Sequence, residues 1–135
     1  MMPRSPSKPK RKPSAFRRFA ESAGRRGEFW AALLLRLKFY RILAQRVKTP
    51  VGEIDLIAAR GKLTVFVEVK SRSFSRQEFE ALEAVNRKRI VRAAQYWLIR
   101  EPKRADGELR FDVIFLAPFA PPRHIPNAFD GTGLI

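Results

Sequence analysis

The pattern of apolar and polar positions divides the chain into helical and extended segments. Apolar residues recur at helical spacing over about 27–39, which predicts a first helix whose buried face comprises Trp30, Leu33, Leu34 and Leu37. Alternating apolar and polar residues, bounded by turn residues, predict strands at 41–47, 53–59, 63–70 and 109–116. After a predicted loop at 71–77 comes a helical region, in which Asn86, a favourable N-cap residue, is predicted to begin a second long helix that runs through Ile99.

The predicted order of elements is α-β-β-β-α-β. This order indicates an α/β domain over 27–116, in which helices cover a mixed central sheet in a three-layer arrangement. Only three residues, 60–62, separate the second and third strands, so we expect these strands to form an antiparallel hairpin. Residues 117–135 contain four prolines and two glycines and are predicted to form an irregular tail.

The charge of the chain indicates what kind of partner the domain meets. There are 28 Lys and Arg residues against 13 Asp and Glu residues, a net charge of +15. Such an excess favours a polyanion, with nucleic acid first and an acidic membrane surface or a ribosome as alternatives. Residues 1–26 hold nine of the basic residues and one acid, Glu21, and are rich in proline. They are predicted to be a disordered basic arm.

Several functional classes are disfavoured by the residue types that the sequence lacks. It contains no cysteine and only one histidine, His124, which argues against disulfides, thiol chemistry, multi-histidine metal sites and a Ser-His-Asp triad. No apolar run approaches the roughly 20 residues of a membrane-spanning helix. No secretory signal follows the first charges. We therefore expect a protein of the reducing cytoplasm without a membrane span.

The candidate chemistry lies in the predicted hairpin, where GEIDLI (52–57) is followed by FVEVK (66–70). Residues two apart on a strand share a face, so Glu68 and Lys70 should project together, with Asp55 across from Glu68 or next to it. Two carboxylates about 5 Å apart can share a Mg²⁺ or Mn²⁺ ion. A neighbouring Lys70 ammonium could orient or deprotonate a water molecule for attack on a phosphodiester.

The alternative for each of these residues is a solvated strand face, because Glu-x-Lys on a strand most often forms a surface ion pair. The combination of both motifs in one hairpin, with apolar residues at alternate positions, favours an active site for Asp55, Glu68 and Lys70. For Glu53, which shares the face of Asp55, simple exposure is the favoured interpretation.

The joined GEIDLI and VEVK motifs resemble the YraN family of bacterial proteins, itself similar to the PD-(D/E)XK, or restriction-endonuclease-like, superfamily that includes archaeal Holliday-junction resolvases. The resemblance covers about residues 24–116, and its supporting pieces are Gly27-Glu28, YRILA (40–44) and RFDVI (110–114). It implies a restriction-endonuclease-like αβββαβ core with Asp55, Glu68 and Lys70 at the catalytic positions.

The resemblance also implies roles outside the hairpin. Glu28 matches an acid that reaches the metal site from the first helix, although an acid in a first helical turn is favoured by the helix dipole in any case. Lys88 matches a basic position and would contact phosphate, unless it is simply solvated. Arg72, just after the third strand, is a further predicted nucleic-acid contact. Phe39 departs from the family, which commonly has glycine before the tyrosine.

Together these observations predict a Mg²⁺- or Mn²⁺-dependent endonuclease that hydrolyses phosphodiester bonds in branched or single-stranded nucleic acid. DNA is favoured over RNA, and resolvase-like chemistry would suit a homodimer that cuts two strands. The predicted metal ligands are Asp55, Glu68 and Glu28. The alternative is a non-catalytic nucleic-acid-binding module that keeps the nuclease-like fold.

Overall fold

The computed structural model describes residues 27–70, 76–117 and 121–130, so the predicted arm 1–26 and Arg72 lie outside the described residues. A helix α1 spans residues 27–37. The remaining elements, in chain order, are β1 (Arg41–Thr49), β2 (Gly52–Arg60), β3 (Leu63–Lys70), α2 (Arg76–Ile99), α3 (Pro102–Ala105), β4 (Glu108–Phe115) and β5 (Arg123–Phe129).

The five strands form one sheet in the order β1-β2-β3-β4-β5. β3 and β4 are parallel, and every other neighbouring pair is antiparallel. The parallel pair requires a crossover connection, which α2 supplies. The predicted α/β class, the mixed sheet and the antiparallel hairpin of β2 and β3 are therefore confirmed.

Two apolar clusters, one on each face of the sheet, produce the three layers. On one face α1 packs against the sheet, and the cluster includes Ala31, Ala32, Leu35, Leu56, Val65, Val67 and Ile114. On the other face α2 packs against the sheet, and the cluster there includes Ile57, Phe66, Ile90, Val91, Ala93, Ala94 and Phe111. No helix of the described residues is long and apolar enough to cross a membrane.

The buried face of α1 differs from the predicted one. Ala31 and Leu35 are fully buried, whereas Trp30 and Leu37 are 54% and 69% exposed. Alanines on the inner face let the helix backbone approach the sheet closely, and the larger side chains are left on the outer side. Leu34 packs at the edge of the core as predicted.

Helix α1 ends in a left-handed residue. Phe39 has φ of +70°. Its N–H donates to the carbonyl of Arg36 at 3.0 Å, and the Tyr40 N–H donates to the carbonyl of Leu35 at 2.9 Å. These two bonds form a Schellman motif, in which glycine is the preferred residue at the position of Phe39. The departure seen in the sequence is thus at the position where a side chain costs most.

Two further predictions need correction. α2 begins at Arg76 rather than at Asn86, which lies within the helix. Glu, Ala, Leu and Gln recur in residues 76–85, and their helix propensity lets the helix continue through Asn86. Residues 117–135 are not irregular throughout, because Arg123–Phe129 forms β5. Pro126 is tolerated there because β5 is the edge strand of the sheet.

β5 is held to β4 by a buried carboxylate. Asp112, in β4, is fully buried. It accepts hydrogen bonds from the Asn127 N–H at 2.9 Å and from the Arg110 side chain at 2.7 Å, and His124 Nε2 lies 2.7 Å from its Oδ2. Burial raises the pKa of Asp112, but the bonds from His124, Arg110 and Asn127 outweigh it, and the net pKa is lowered.

Candidate active site

The candidate site lies where the β2–β3 hairpin opens. The ladder of paired residues runs from Arg60 and Leu63 to Leu56 and Val67. One residue further along β2, the Asp55 carboxylate accepts a hydrogen bond from the Val69 backbone N–H at 2.8 Å. A side chain thus takes the place of a backbone acceptor, and it fixes Asp55 beside the segment that carries Glu68 and Lys70.

The two carboxylates of the site are held in an environment that disfavours their charge. Burial, the largest effect, raises the pKa of Asp55 to about 6; the Val69 N–H lowers it, and the charges of Glu28 and Glu53 raise it further. Burial also raises the pKa of Glu68, where the attraction of Lys70 and the repulsion of Asp55 act in opposite directions. A cation between these carboxylates would therefore stabilise their charged forms.

The amine of the site is affected in the complementary way. Burial lowers the pKa of Lys70, and the charge of Glu68 opposes that effect. A lysine in this position gives up its proton more readily than one on an open surface. The Val69 bond places Asp55 beside the β3 segment that carries Glu68 and Lys70, and the charges of the three groups act on one another.

Glu28 lies near this group but is engaged elsewhere. It projects from the first turn of α1, and its charge acts on Asp55. Its carboxylate accepts a hydrogen bond from Arg46 Nε at 2.5 Å. Arg46 has φ of +52° within β1, a conformation that is costly for a non-glycine residue and often occurs at functional sites. Nothing in the sequence of β1 signalled this arginine.

The donor set for a metal ion consists of two carboxylates. In the part of the chain that the structure describes, no three acidic or histidine side chains lie close enough together to hold a metal ion. Asp55 and Glu68 remain, since Glu28 is bound by Arg46. The role of Glu28 as a ligand stays a prediction.

A cleft of about 380 Å³ opens on the α2 side of the site. Its walls include Glu53, Asp55, Glu68, Asn86 and Arg89. Asn86, expected as a helix cap, is instead part of this wall.

The glycine of GEIDLI has a packing role at this cleft. A Cβ at Gly52 would lie 2.7 Å from the Arg89 carbonyl oxygen, so only glycine lets β2 approach α2 so closely. Lys88, Arg89 and Arg92 are exposed basic residues of α2. Basic side chains therefore lie along the helix that borders the site.

Comparison with known proteins agrees with the motifs. The sequence model of the Uncharacterised protein family UPF0102 matches residues 27–116. A UPF0102 protein of Rhodopseudomonas palustris (strain BisB5) is 46% identical over 129 residues, covering 96% of both chains. One from Mesorhizobium japonicum is 48% identical over 120 residues, covering 89% of this chain and 96% of the relative. One from Methylorubrum extorquens (strain PA1) is 46% identical over 127 residues, covering 94% of this chain and 99% of the relative.

The family match and the motifs concern the same residues. The matched range begins at the first turn of α1 and ends just after β4, and it includes the whole hairpin with Asp55, Glu68 and Lys70. The relatives align over nearly all of their own length as well. The chain therefore belongs to the UPF0102 family, which is the YraN family that its motifs resemble.

Proposed function

We propose that this protein is a metal-dependent nuclease that hydrolyses phosphodiester bonds, with Asp55, Glu68 and Lys70 as its catalytic residues. One observation carries the proposal: the Asp55 carboxylate is fixed by the Val69 N–H next to Glu68 and Lys70, at a place where burial opposes the charge of all three groups. Ionisable groups with perturbed pKa values of this kind cluster at functional sites.

The two carboxylates suit Mg²⁺ or Mn²⁺. Mg²⁺ is commonly held by one or two protein carboxylates, with water and substrate phosphate oxygens completing the coordination. Asp55 and Glu68 provide that number of acids, and the repulsion between them would be relieved by a divalent cation. Such a cation would supply Lewis acidity toward the phosphoryl group and toward water.

Each residue of the site then has a defined role. Asp55 cannot rotate freely because its Oδ2 accepts the Val69 N–H, so its second oxygen keeps a constant direction. Lys70, with its lowered pKa, orients a water molecule and accepts a proton from it. Arg89, in the wall of the α2-side cleft, offers a guanidinium to a substrate phosphate.

DNA is the proposed substrate, and the charge of the molecule supports a nucleic acid. The net charge is +15, and the exposed residues Lys88, Arg89 and Arg92 follow the helix beside the site. Binding should therefore weaken steeply with salt, because each phosphate contact releases counterions. A homodimer would let two such sites cut two strands of a branched substrate.

Cleavage assays test the proposal. Purified protein is incubated with duplex, branched and single-stranded DNA in Mn²⁺ and in EDTA, together with Asp55→Asn, Lys70→Ala and the control Glu108→Gln, an exposed acid at the opposite end of the sheet. We expect Mn²⁺-dependent cleavage that falls at least about 100-fold in the first two variants and stays within about threefold in the control. Full activity in both Asp55→Asn and Lys70→Ala would refute the assignment.

A non-catalytic nucleic-acid-binding module is the second candidate, and one observation favours it. Glu28 is bound by Arg46, so only two carboxylates converge within the described residues. This module would share the salt-sensitive binding of the nuclease. It would bind no divalent cation at Asp55 and Glu68, so a measurement of cation binding distinguishes it from the nuclease.

A further inference from the structure

Two aromatic rings are exposed on the first turn of α1. Phe29 and Trp30 are 59% and 54% exposed, and their ring centroids are 5.6 Å apart in an edge-to-face arrangement. Neighbouring exposed aromatic side chains form an apolar patch of the kind that marks interaction sites. They directly follow Glu28, the acid of α1 that acts on Asp55.

Phe29 forms part of a cleft between α1 and β1. The cleft has a volume of about 370 Å³, within the range of small-ligand sites, and is lined by Glu28, Phe29, Ala32, Arg36, Gln45 and Arg46. Phe29, Ala32 and Arg36 share one side of the helix because they are three and four residues apart. A ring and two guanidinium groups are thus presented to the same space.

This combination matches the chemistry of an unpaired nucleotide. Aromatic side chains stack on exposed bases, and arginines bind the neighbouring phosphates, without reading the sequence. In a duplex the base faces are covered by their neighbours, so a base must be unstacked before it can lie on Phe29. Charge complementarity points the same way, since the chain carries a net charge of +15.

The cleft also lies in the right place relative to the catalytic residues. Glu28 and Arg46 line it and are bonded to each other, and both act electrostatically on Asp55. It lies on the α1 side of the sheet, whereas the cleft with Arg89 lies on the α2 side. A strand that crosses the open end of the hairpin would contact both.

We propose that Phe29, Trp30, Arg36 and Arg46 form a binding site for an unpaired nucleotide, which directs single-stranded nucleic acid to the Asp55 site. The choice of substrate rests on the proposed function, because it assumes that the strand bound here is the strand cut there. Binding itself does not depend on cleavage and can be measured without metal.

Tryptophan fluorescence gives a local measurement of this binding. The chain has two tryptophans, and Trp97 packs against Phe66, so Trp97→Phe leaves Trp30 as the only tryptophan, whose emission is excited selectively over that of the two tyrosines. In EDTA, we expect a single-stranded oligo(dT) or oligo(U) to quench the fluorescence of Trp30. The oligonucleotide that quenches it more strongly shows whether the site prefers DNA or RNA. A duplex of equal length, and an abasic strand with the same number of phosphates, should leave the emission unchanged.

Variants measured by anisotropy of a labelled oligonucleotide extend the test. Phe29→Ala and Trp30→Ala should weaken single-strand binding by roughly 5- to 100-fold each, with duplex binding unchanged. Arg36→Ala should lower the salt dependence by about one phosphate contact. Leu37→Ala is the matched control, since Leu37 is an exposed apolar residue of the same helix, two turns away.

Equal quenching by duplex or by abasic strands, or unchanged affinity in both Phe29→Ala and Trp30→Ala, would overturn the inference. A change of Trp30 emission with protein concentration alone would also overturn it, because the rings would then contact a second copy of the chain. Failure of the nuclease proposal gives a different result. In that case single strands still quench Trp30, but Mn²⁺ produces no cleavage.

Discussion

Asp55 shows how a single residue can serve a site at the expense of stability. Its hydrogen bond from Val69 favours the charged carboxylate, but burial and the charges of Glu28 and Glu53 outweigh that bond. The folded protein therefore holds a carboxyl group that stays mostly neutral up to about pH 6. Functional residues commonly carry such a cost, and replacing them often stabilises the fold.

The pH dependence of stability tests this interpretation of Asp55. Its pKa is about 6 in the folded protein, above the ordinary 3.8. The folded state thus binds more protons than the unfolded state between these values, and stability is lost as the pH rises through this window. Asp55→Asn removes this loss while keeping an oxygen for the Val69 N–H. In EDTA at pH 8, the variant should be about 1–3 kcal/mol more stable than the parent.

Urea unfolding from pH 3.5 to 8 would measure the difference. The advantage of Asp55→Asn should shrink toward zero at pH 3.5, where Asp55 is mostly protonated in both states. Glu108→Gln, at an exposed position at the opposite end of the sheet, should stay within about 0.5 kcal/mol of the parent throughout. A less stable Asp55→Asn at pH 8 would show that Asp55 stabilises the fold and would contradict the account.

At the scale of elements, the hairpin was predictable and the helices only in part. The alternation in β2 and β3 and the turn between them are local signals, so the sequence predicts the two strands on which Asp55, Glu68 and Lys70 lie. The inner face of α1 was not predictable in the same way. Hydrophobicity suggests that Trp30 lies inside, but close approach of helix and sheet selects Ala31 and Ala32 instead.

The end of α1 provides a prediction at this scale. Phe39 holds the left-handed position of a Schellman motif with its ring 88% exposed. That conformation costs a non-glycine residue about 1–2 kcal/mol. Glycine removes this cost, but it also increases the conformational entropy of the unfolded chain, which offsets part of the stabilisation. Phe39→Gly should therefore raise the free energy of unfolding by about 0.5–1.5 kcal/mol in thermal or urea unfolding.

Phe39→Ala is the matched control for the ring. It removes the exposed ring but keeps a Cβ at positive φ, so it should not give the gain expected for glycine. If the alanine variant is as stable as the glycine variant, the backbone of Phe39 is not strained and the explanation is wrong.

At the scale of the whole molecule, the polar network around Asp112 joins distant parts of the chain. Arg110 donates to both Asp112 and the Tyr40 hydroxyl, and His124 lies between Asp112 and Lys38 Nζ, which is 2.9 Å from its Nδ1. These contacts span up to 86 positions in sequence. The residues gave no local signal of their pairing, which explains why β5 was not predicted and why His124 was left without a role.

Removing residues 117–135 tests the importance of this network. The deletion takes away the His124 and Asn127 partners of a fully buried carboxylate, and it leaves β4 as an open edge. We expect a loss of at least about 2 kcal/mol in stability, or aggregation during purification. A chain ending at Asp130 keeps β5 and should unfold like the full chain. If the chain without residues 117–135 is as stable as the full chain, the proposed role of β5 is contradicted.

The proposed divalent-cation site at Asp55 and Glu68 can be tested without any knowledge of the substrate, by calorimetric titration with Mn²⁺. We expect millimolar or tighter uptake by the parent and by Glu108→Gln, strengthened by a bound oligonucleotide whose phosphates complete the coordination. Asp55→Asn should bind at least about tenfold more weakly. No Mn²⁺ uptake by the parent, alone and with DNA, would contradict the account and favour a non-catalytic module.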